Sequence, residues 1–168
     1  SDQTRCISIG RPGGLEQLRV VSLKPNLCTK GYNLLDGTPF VAVNQVQSRD
    51  CLILRTHAFS VNYADCAIRW GLYESAKKFV GWPIVPGFDV AGTVEQACGD
   101  LQRGERVFGC TLFGAYSSRV ALPAIQVRRI PSNLTFAQAA ALPAVSLTAL
   151  YALTLAGHDP SHPNNYRN

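Results

Sequence analysis

The run VNYADCAIRWGLYESAKKFVGWPIVPGFDVAGTV, from Val61 to Val94, places the tightest limits on what this chain can fold into. Polar Asn62 and Asp65 stand at the end of an apolar run. A short helical piece follows, and Trp70-Gly71-Leu72-Tyr73 makes an aromatic-lined turn. After a polar loop, Pro86-Gly87-Phe88-Asp89-Val90-Ala91-Gly92-Thr93-Val94 reads as a strand punctuated by glycine. Gly71, Gly87 and Gly92 mark places where a side chain is forbidden or a positive φ is needed. The run describes a loop-rich rim around a cleft. The plainer alternative is that Asn62 and Asp65 only form Asx turns that end a strand.

The remaining segments read mostly as short strands. Arg5–Ile9 and 18–23 are two strands joined across Gly10-Arg11-Pro12-Gly13-Gly14. That loop opens no helix inside a βαβ unit, so a hairpin turn is the expectation rather than a phosphate cradle. Residues 24–39, with Pro25, Gly31, Asp36-Gly37 and Pro39, form an excursion loop, and 40–46 alternates like an edge strand. Residues 51–61 form a nearly continuous β-rich run, the pattern of a strand buried on both faces. Arg55 and His57 share one face of it. No cysteine or carboxylate stands at ligand spacing around His57, which is therefore expected to be a hydrogen-bonded structural histidine.

Residues 94–96, 106–110, 116–121 and 126–130 are further short strands separated by glycine turns, a spacing that suggests a partly open barrel. Thr135-Phe136-Ala137-Gln138 has the form of a capping box. A short helix over 137–142 should stop near Pro143. A second helix over 146–155 should end at Gly157, and 158–168 is a polar tail.

Only 16% of the 168 residues are charged, against about 25% in an ordinary globular chain, which points to surface that something else covers. The net charge of +5 is scattered, with Lys77-Lys78 and Arg128-Arg129 no more than pairs. That argues against a dedicated nucleic-acid surface, which would show a basic stripe with interleaved aromatics. The six cysteines are widely spaced without a C-x-x-C pair, so neither a zinc ribbon nor a redox dithiol is indicated. Reduced thiols in an intracellular compartment, cytoplasm or mitochondrion, are expected. No apolar run approaches the roughly 20 residues of a membrane span. The chain starts at Ser1 and contains no methionine, so the expectation is a removed leader or an incomplete sequence.

Asn62-Tyr63-Ala64-Asp65, Arg69-x-Gly71-Leu72-Tyr73 and Pro86-Gly87-x-Asp89-x-Ala91-Gly92-x-Val94 resemble the quinone oxidoreductase (zeta-crystallin-like) branch of the medium-chain dehydrogenase/reductase superfamily. Later pieces agree in order: Gly104-Glu105-Arg106-Val107-Phe108-Gly109, Gly114-Ala115-Tyr116-Ser117-Ser118, Ala139-Ala140-Ala141-Leu142-Pro143 and Leu147-Thr148-Ala149-Leu150-Tyr151. The resemblance implies a mostly β fold with some α. Residues 1–134 would be a GroES-like partly open barrel on the substrate side, and 135–157 the linking helices. The nucleotide-binding Rossmann domain that follows in full-length members is absent from this chain, which has no glycine after Gly157.

The resemblance also implies chemistry. Zinc-dependent members carry a cysteine at the position of Asn62 and a histidine at that of Phe88, so no metal is expected here. Asn62 would hold a group of NADPH near the nicotinamide, and Thr148 would contact its carboxamide. Tyr73 would donate a hydrogen bond to the carbonyl of a quinone or enone acceptor, although solvent could supply that proton. Asp65 would order the rim and Trp70 would line the substrate pocket. Against these roles stand packing for Tyr73 and Trp70, and a hydroxyl bonded back to its own helix for Thr148.

The first reading is thus part of an NADPH-dependent quinone or enone reductase, inactive alone and weak in NADPH binding. The second is a degenerate half-enzyme serving as a structural or interaction subunit, and the third, more distant, is an RNA-associated module. Under either of the first two, a partner or a continuation of the chain would cover 145–155.

Overall fold

The computed structural model describes residues 3–23, 29–30 and 51–158 of the chain. Strands β1 (Arg5–Ile9) and β2 (Leu18–Ser22) pair antiparallel across the Gly10–Gly14 turn as the hairpin expected. The larger sheet contains β3 (Thr29–Lys30), β4 (Cys51–Phe59), β5 (Asp89–Gln96), β6 (Arg106–Cys110), β7 (Arg119–Pro123) and β8 (Val127–Arg129). Its order is β3-β7-β4-β5-β6-β8, antiparallel except where β3 runs parallel to β7. Among the described residues β3 and β8 remain edges, so the barrel is open. Apart from β3, the expected excursion loop (24–39) and edge strand (40–46) lie outside the described residues, as does the tail beyond His158.

Three strand readings are corrected. The strand buried on both faces is β5, not β4. Leu52 and Leu54 of β4 point into the core while Arg55 and His57 face out, so β4 is a one-sided strand. On β5, Val90 and Val94 join Leu52, Leu54, Val107, Val120 and Leu122 inside the sheet. Ala91, on the other face of β5, packs under Ala139 and Ala140. The strands read at 86–94 and 94–96 are a single one, β5, which begins at Asp89, and the strand expected at 116–121 lies at Arg119–Pro123. Gly92 makes this central packing possible, because a Cβ there would run into the Arg55 carbonyl oxygen of β4.

Helices α1 (Tyr63–Trp70) and α2 (Glu74–Phe79) cover one end of the sheet. There Ile68 and Ala76 meet Ile9, Ile84, Phe88 and Phe113 in a second core. Gly71 ends α1 in the left-handed conformation at φ 77°. The capping box forms as read, with the Gln138 amide donating to Thr135 Oγ1 at 3.2 Å and the Thr135 amide to Gln138 Oε1 at 2.9 Å. It opens α3 (Phe136–Ala140), whose Phe136 ring stacks on His57 at 4.3 Å. His57 also lies 3.4 Å from Thr93 Oγ1, which fits the structural role expected of it.

Pro143 does not stop a helix. It is the first residue of α4 (Pro143–Leu155), where its fixed φ suits the helix and its missing N–H lacks a partner in any case. The helix is apolar on every side, yet Pro143 is its only buried residue. Val145, Leu147, Leu150, Tyr151, Leu153 and Leu155 are all exposed.

Candidate functional site

The rim between β4, α1, β5 and α4 is organised by two buried carboxylates with Asn62 between them. Asn62 precedes the first turn of α1 with an extended backbone, and its own amide donates to Asp65 Oδ2 at 2.8 Å. Asp65 also accepts from the Gly87 amide at 3.0 Å and from the Tyr116 hydroxyl at 3.0 Å. Gly87 can approach in this way because it adopts φ 98° and a Cβ would strike the Tyr116 ring. Burial raises the Asp65 pKa above the ordinary carboxylate value, and the nearby charge of Asp89 adds to the rise. Burial, with Asp65 adding to it, raises the Tyr116 hydroxyl as well, so it stays protonated and remains a donor.

The second carboxylate, Asp89, is 1% exposed. Its Oδ2 accepts from the Asn62 side-chain amide at 3.0 Å and from the Ser60 hydroxyl, and its Oδ1 accepts from the Ala144 backbone amide at 2.8 Å. The Cys110 thiol faces it too; burial first and Asp89 second push that thiol up to about 12, so it is an inert neutral group. A buried charge is tolerable only where donors surround it. Here one of those donors is the N-terminal turn of α4, whose dipole favours an anion.

The structure therefore gathers Asn62 and Asp65 into one network and links that network to the helix that carries Thr148. Thr148 is exposed, and its hydroxyl donates to the Ala144 carbonyl at 2.7 Å, the back-bonded state that the sequence left open. Tyr73 lies apart from this network, edge-on to Phe88 and Phe113 at 5.9 and 6.2 Å. Its phenol is half-buried and held above its ordinary pKa by burial and by Asp65, so it is a protonated potential donor. Trp70 is farther out at the exposed end of α1, edge-on to Tyr63 at 6.1 Å and covered by the Arg69 guanidinium.

Two grooves flank the network. One of about 440 Å³ runs between β1 and β4, lined by Arg5, Thr56, His57, Phe59 and Tyr116 among others. The other, about 490 Å³, lies between α4 and β6, lined by Phe108, Cys110, Gln126, Arg128, Leu142 and Leu147 among others. Neither contains Tyr73, Trp70 or Asn62. Among the described residues no three His, Cys, Asp or Glu side chains gather into a group that could hold a metal ion.

Sequence reasoning missed Asp89, Ser60 and Tyr116. The one signal for Asp89 was a carboxylate inside an otherwise apolar, glycine-bearing strand. Its partners Asn62 and Ala144 lie 27 and 55 residues away, so no local motif announces the cluster.

Residues 48–147 match the alcohol dehydrogenase GroES-like domain family. The chain belongs to that family, in its quinone oxidoreductase branch. Over 115 residues it is 34% identical to the human synaptic vesicle membrane protein VAT-1 homolog, an alignment covering 66% of this chain and 28% of the relative. Over 107 residues it is 36% identical to human quinone oxidoreductase, covering 61% and 31%. Escherichia coli quinone oxidoreductase, solved in complex with NADPH, superposes with a TM-score of 0.68 at 27% identity, over 89% of this chain and 40% of that one. The chain spans less than a third of the length of these two curated relatives. Among the described residues, no helix of this GroES-like domain is long and apolar enough to cross a membrane.

Proposed function

We propose that this domain is the substrate side of a zinc-independent, NADPH-dependent quinone or enone oxidoreductase, with 1–134 as the sheet domain and 135–157 as linking helices. The observation that carries the reading is the joining of Asn62 to the first turn of α4 through Asp89, at the edge where the domain leaves its apolar helix uncovered. The family membership and the NADPH complex of the E. coli relative support it. Phe88 and Asn62 occupy the positions where zinc-dependent members have ligands, and phenylalanine has no donor atom. The free thiols of Cys66 and Cys110 fit a reducing, intracellular compartment.

In this reading NADPH supplies the hydride when bound, and the chain's own residues position and polarise. Asn62 and Thr148 hold the nicotinamide end. Asp65 fixes the rim by pinning the Asn62 and Gly87 amides and the Tyr116 hydroxyl. Tyr73, kept protonated, offers its hydroxyl to the acceptor carbonyl, where negative charge develops as hydride arrives. Trp70 forms the outer wall of the acceptor cleft. That cleft lies apart from both flanking grooves, neither of which includes Tyr73 or Trp70.

Joining the chain to a nucleotide-binding domain of the family and following NADPH oxidation with a panel of quinones and enones tests the reading. Acceptor-dependent oxidation is expected, and its absence with every acceptor would remove the reading. The bare α4 supports a second reading, in which the domain serves as an interaction subunit of a larger assembly. That reading survives if the joined form binds NADPH without turning it over.

A further inference from the structure

We infer that the open edge of β4 at Phe59, in the fork where β4 parts from β1, is a strand-addition site, filled in a protein of full family length by an extended segment from beyond this domain. Such an addition is independent of the reaction proposed.

Residues along an antiparallel strand alternate between bonding to a neighbouring strand and turning away from it. Val94 of β5 accepts from the Gly104 amide and donates to the Glu105 carbonyl, on the β6 side. Gly92 and Val90, two and four residues back, therefore face β6 as well. Their partners on β4, Thr56 and Phe59, turn away from β5. Thr56 uses that freedom, and its N–H donates to the Ser118 carbonyl at 3.0 Å. There the contact with β7 stops. The β4–β7 register closes at Arg55 and Arg119, and residues 116–118 leave β4 to bond with Arg5 and Ile7 of β1. Phe59 is left with its N–H and C=O facing the fork and no backbone partner there among the described residues.

The fork is a groove of about 440 Å³. The stacked rings of Phe59 and Tyr116, 4.4 Å apart, line it together with Ile7 and Val20. Val20 is apolar yet 74% exposed. Thr56 also lines the groove, and its Oγ1 is buried without a hydrogen-bond partner among the described residues. A buried hydroxyl left unpaired is costly, and an unpaired strand edge is a template for another strand. One extended segment would satisfy the Phe59 backbone and the Thr56 hydroxyl and cover Val20. Its residues would alternate, apolar toward the ring stack and Val20 and polar or acidic within reach of exposed Arg5.

The shortness of the edge decides the occupant. Backbone bonds at a single residue stabilise too little to hold a free peptide against its loss of translational freedom. A segment of the same polypeptide is already tethered and escapes most of that loss. The alignments cover only 28% of the human VAT-1 homolog and 31% of human quinone oxidoreductase, so a protein of that length has most of its chain available.

The test compares amide hydrogen exchange in the isotope-labelled 168-residue chain and in the chain joined to the remaining length of a family member. Phe59 is expected to exchange freely in the chain alone and at least about a hundredfold more slowly in the joined form. Ala58, which meets Ala91 on the bonded side of β4, should be protected in both and serves as the control. A protected Phe59 amide in the chain alone would mean that the edge is already covered and would overturn the inference. So would a freely exchanging Phe59 amide in a folded joined form. Protection that appears in the chain alone only as its concentration rises would give the edge to a second copy and overturn the tethered occupant. Should the joined form fail to fold, segments of the remaining length can be fused singly to the chain through a flexible linker. Phe59 exchange unchanged by every one of them would overturn the inference equally.

Discussion

Asn62 and Asp65 show how little a local reading can settle about a residue that serves two elements. The Asx-like bonding was expected from sequence and is present, since the Asn62 amide is held by Asp65 three residues on. The other half of each side chain's role depends on Gly87, Asp89 and Tyr116, which sequence spacing does not bring near. Asp65 gives a pH signature. Its folded pKa is raised above the ordinary aspartate value of about 3.8, so the folded state holds the proton more tightly than the unfolded chain does. Whatever stability the protonated form contributes is fully present below about 3.8 and is lost as pH rises through the folded pKa. Relative to Asp65→Asn, which cannot titrate there, wild type should lose urea resistance across that window; wild type gaining on the variant as pH rises would contradict the shift. Tyr73 belongs at this scale as well. In the joined enzyme, Tyr73→Phe should lower kcat for an enone about tenfold, ~1.4 kcal/mol of barrier, with little change in KM. Equal kinetics would leave Tyr73 as packing against Phe88 and Phe113.

Elements were more legible than residues, and their errors share a physical cause. The hairpin, β6, α3 and its capping box could be read because turn glycines and caps act locally. β4 was misread because a long apolar run looks the same whether one face or two are covered. Arg55 and His57 were the clue, and they point outward. Pro143 was misread as a stop because proline breaks a helix interior yet suits a first turn, and only the location of the start decides between them. Two substitutions test the elements. Gly92→Ala places a methyl group against the Arg55 backbone carbonyl between β5 and β4, where no flexible side chain can yield. The overpacking cost is about 1–3 kcal/mol, and a shift in denaturation midpoint will report it. Thr135→Ala removes the cap on α3 and should cost about 1 kcal/mol, felt at the α3–β5 contact through Ala139 and Ala140. An unchanged midpoint for Gly92→Ala would mean that β4 and β5 separate at no cost, contrary to the packing described.

At the scale of the molecule, the sheet domain buries its core well and then leads into a helix that it does not cover. A helix apolar on every side belongs inside something. Yet along α4 Val145, Leu147, Leu150, Tyr151, Leu153 and Leu155 are between 42% and 71% exposed, with Pro143 the only buried residue. The low charge content of the chain, 16%, is the same fact seen in composition. Soluble monomers rarely leave contiguous apolar patches larger than a few hundred Å². The 168-residue chain on its own should therefore self-associate at micromolar concentration and enhance the fluorescence of a hydrophobic dye. Light scattering with dye titration measures both. Leu147→Lys with Leu150→Glu, on a face that makes no core contact, should return a monomer with little dye binding and an unchanged near-ultraviolet spectrum from the sheet domain. Joining a nucleotide-binding domain should have the same effect on dye binding without any substitution, because it would cover the helix instead of recharging it. A dispersed wild-type monomer that binds no dye would show that α4 needs no cover, and the case for a missing surface, cofactor domain or partner alike, would lose its physical basis.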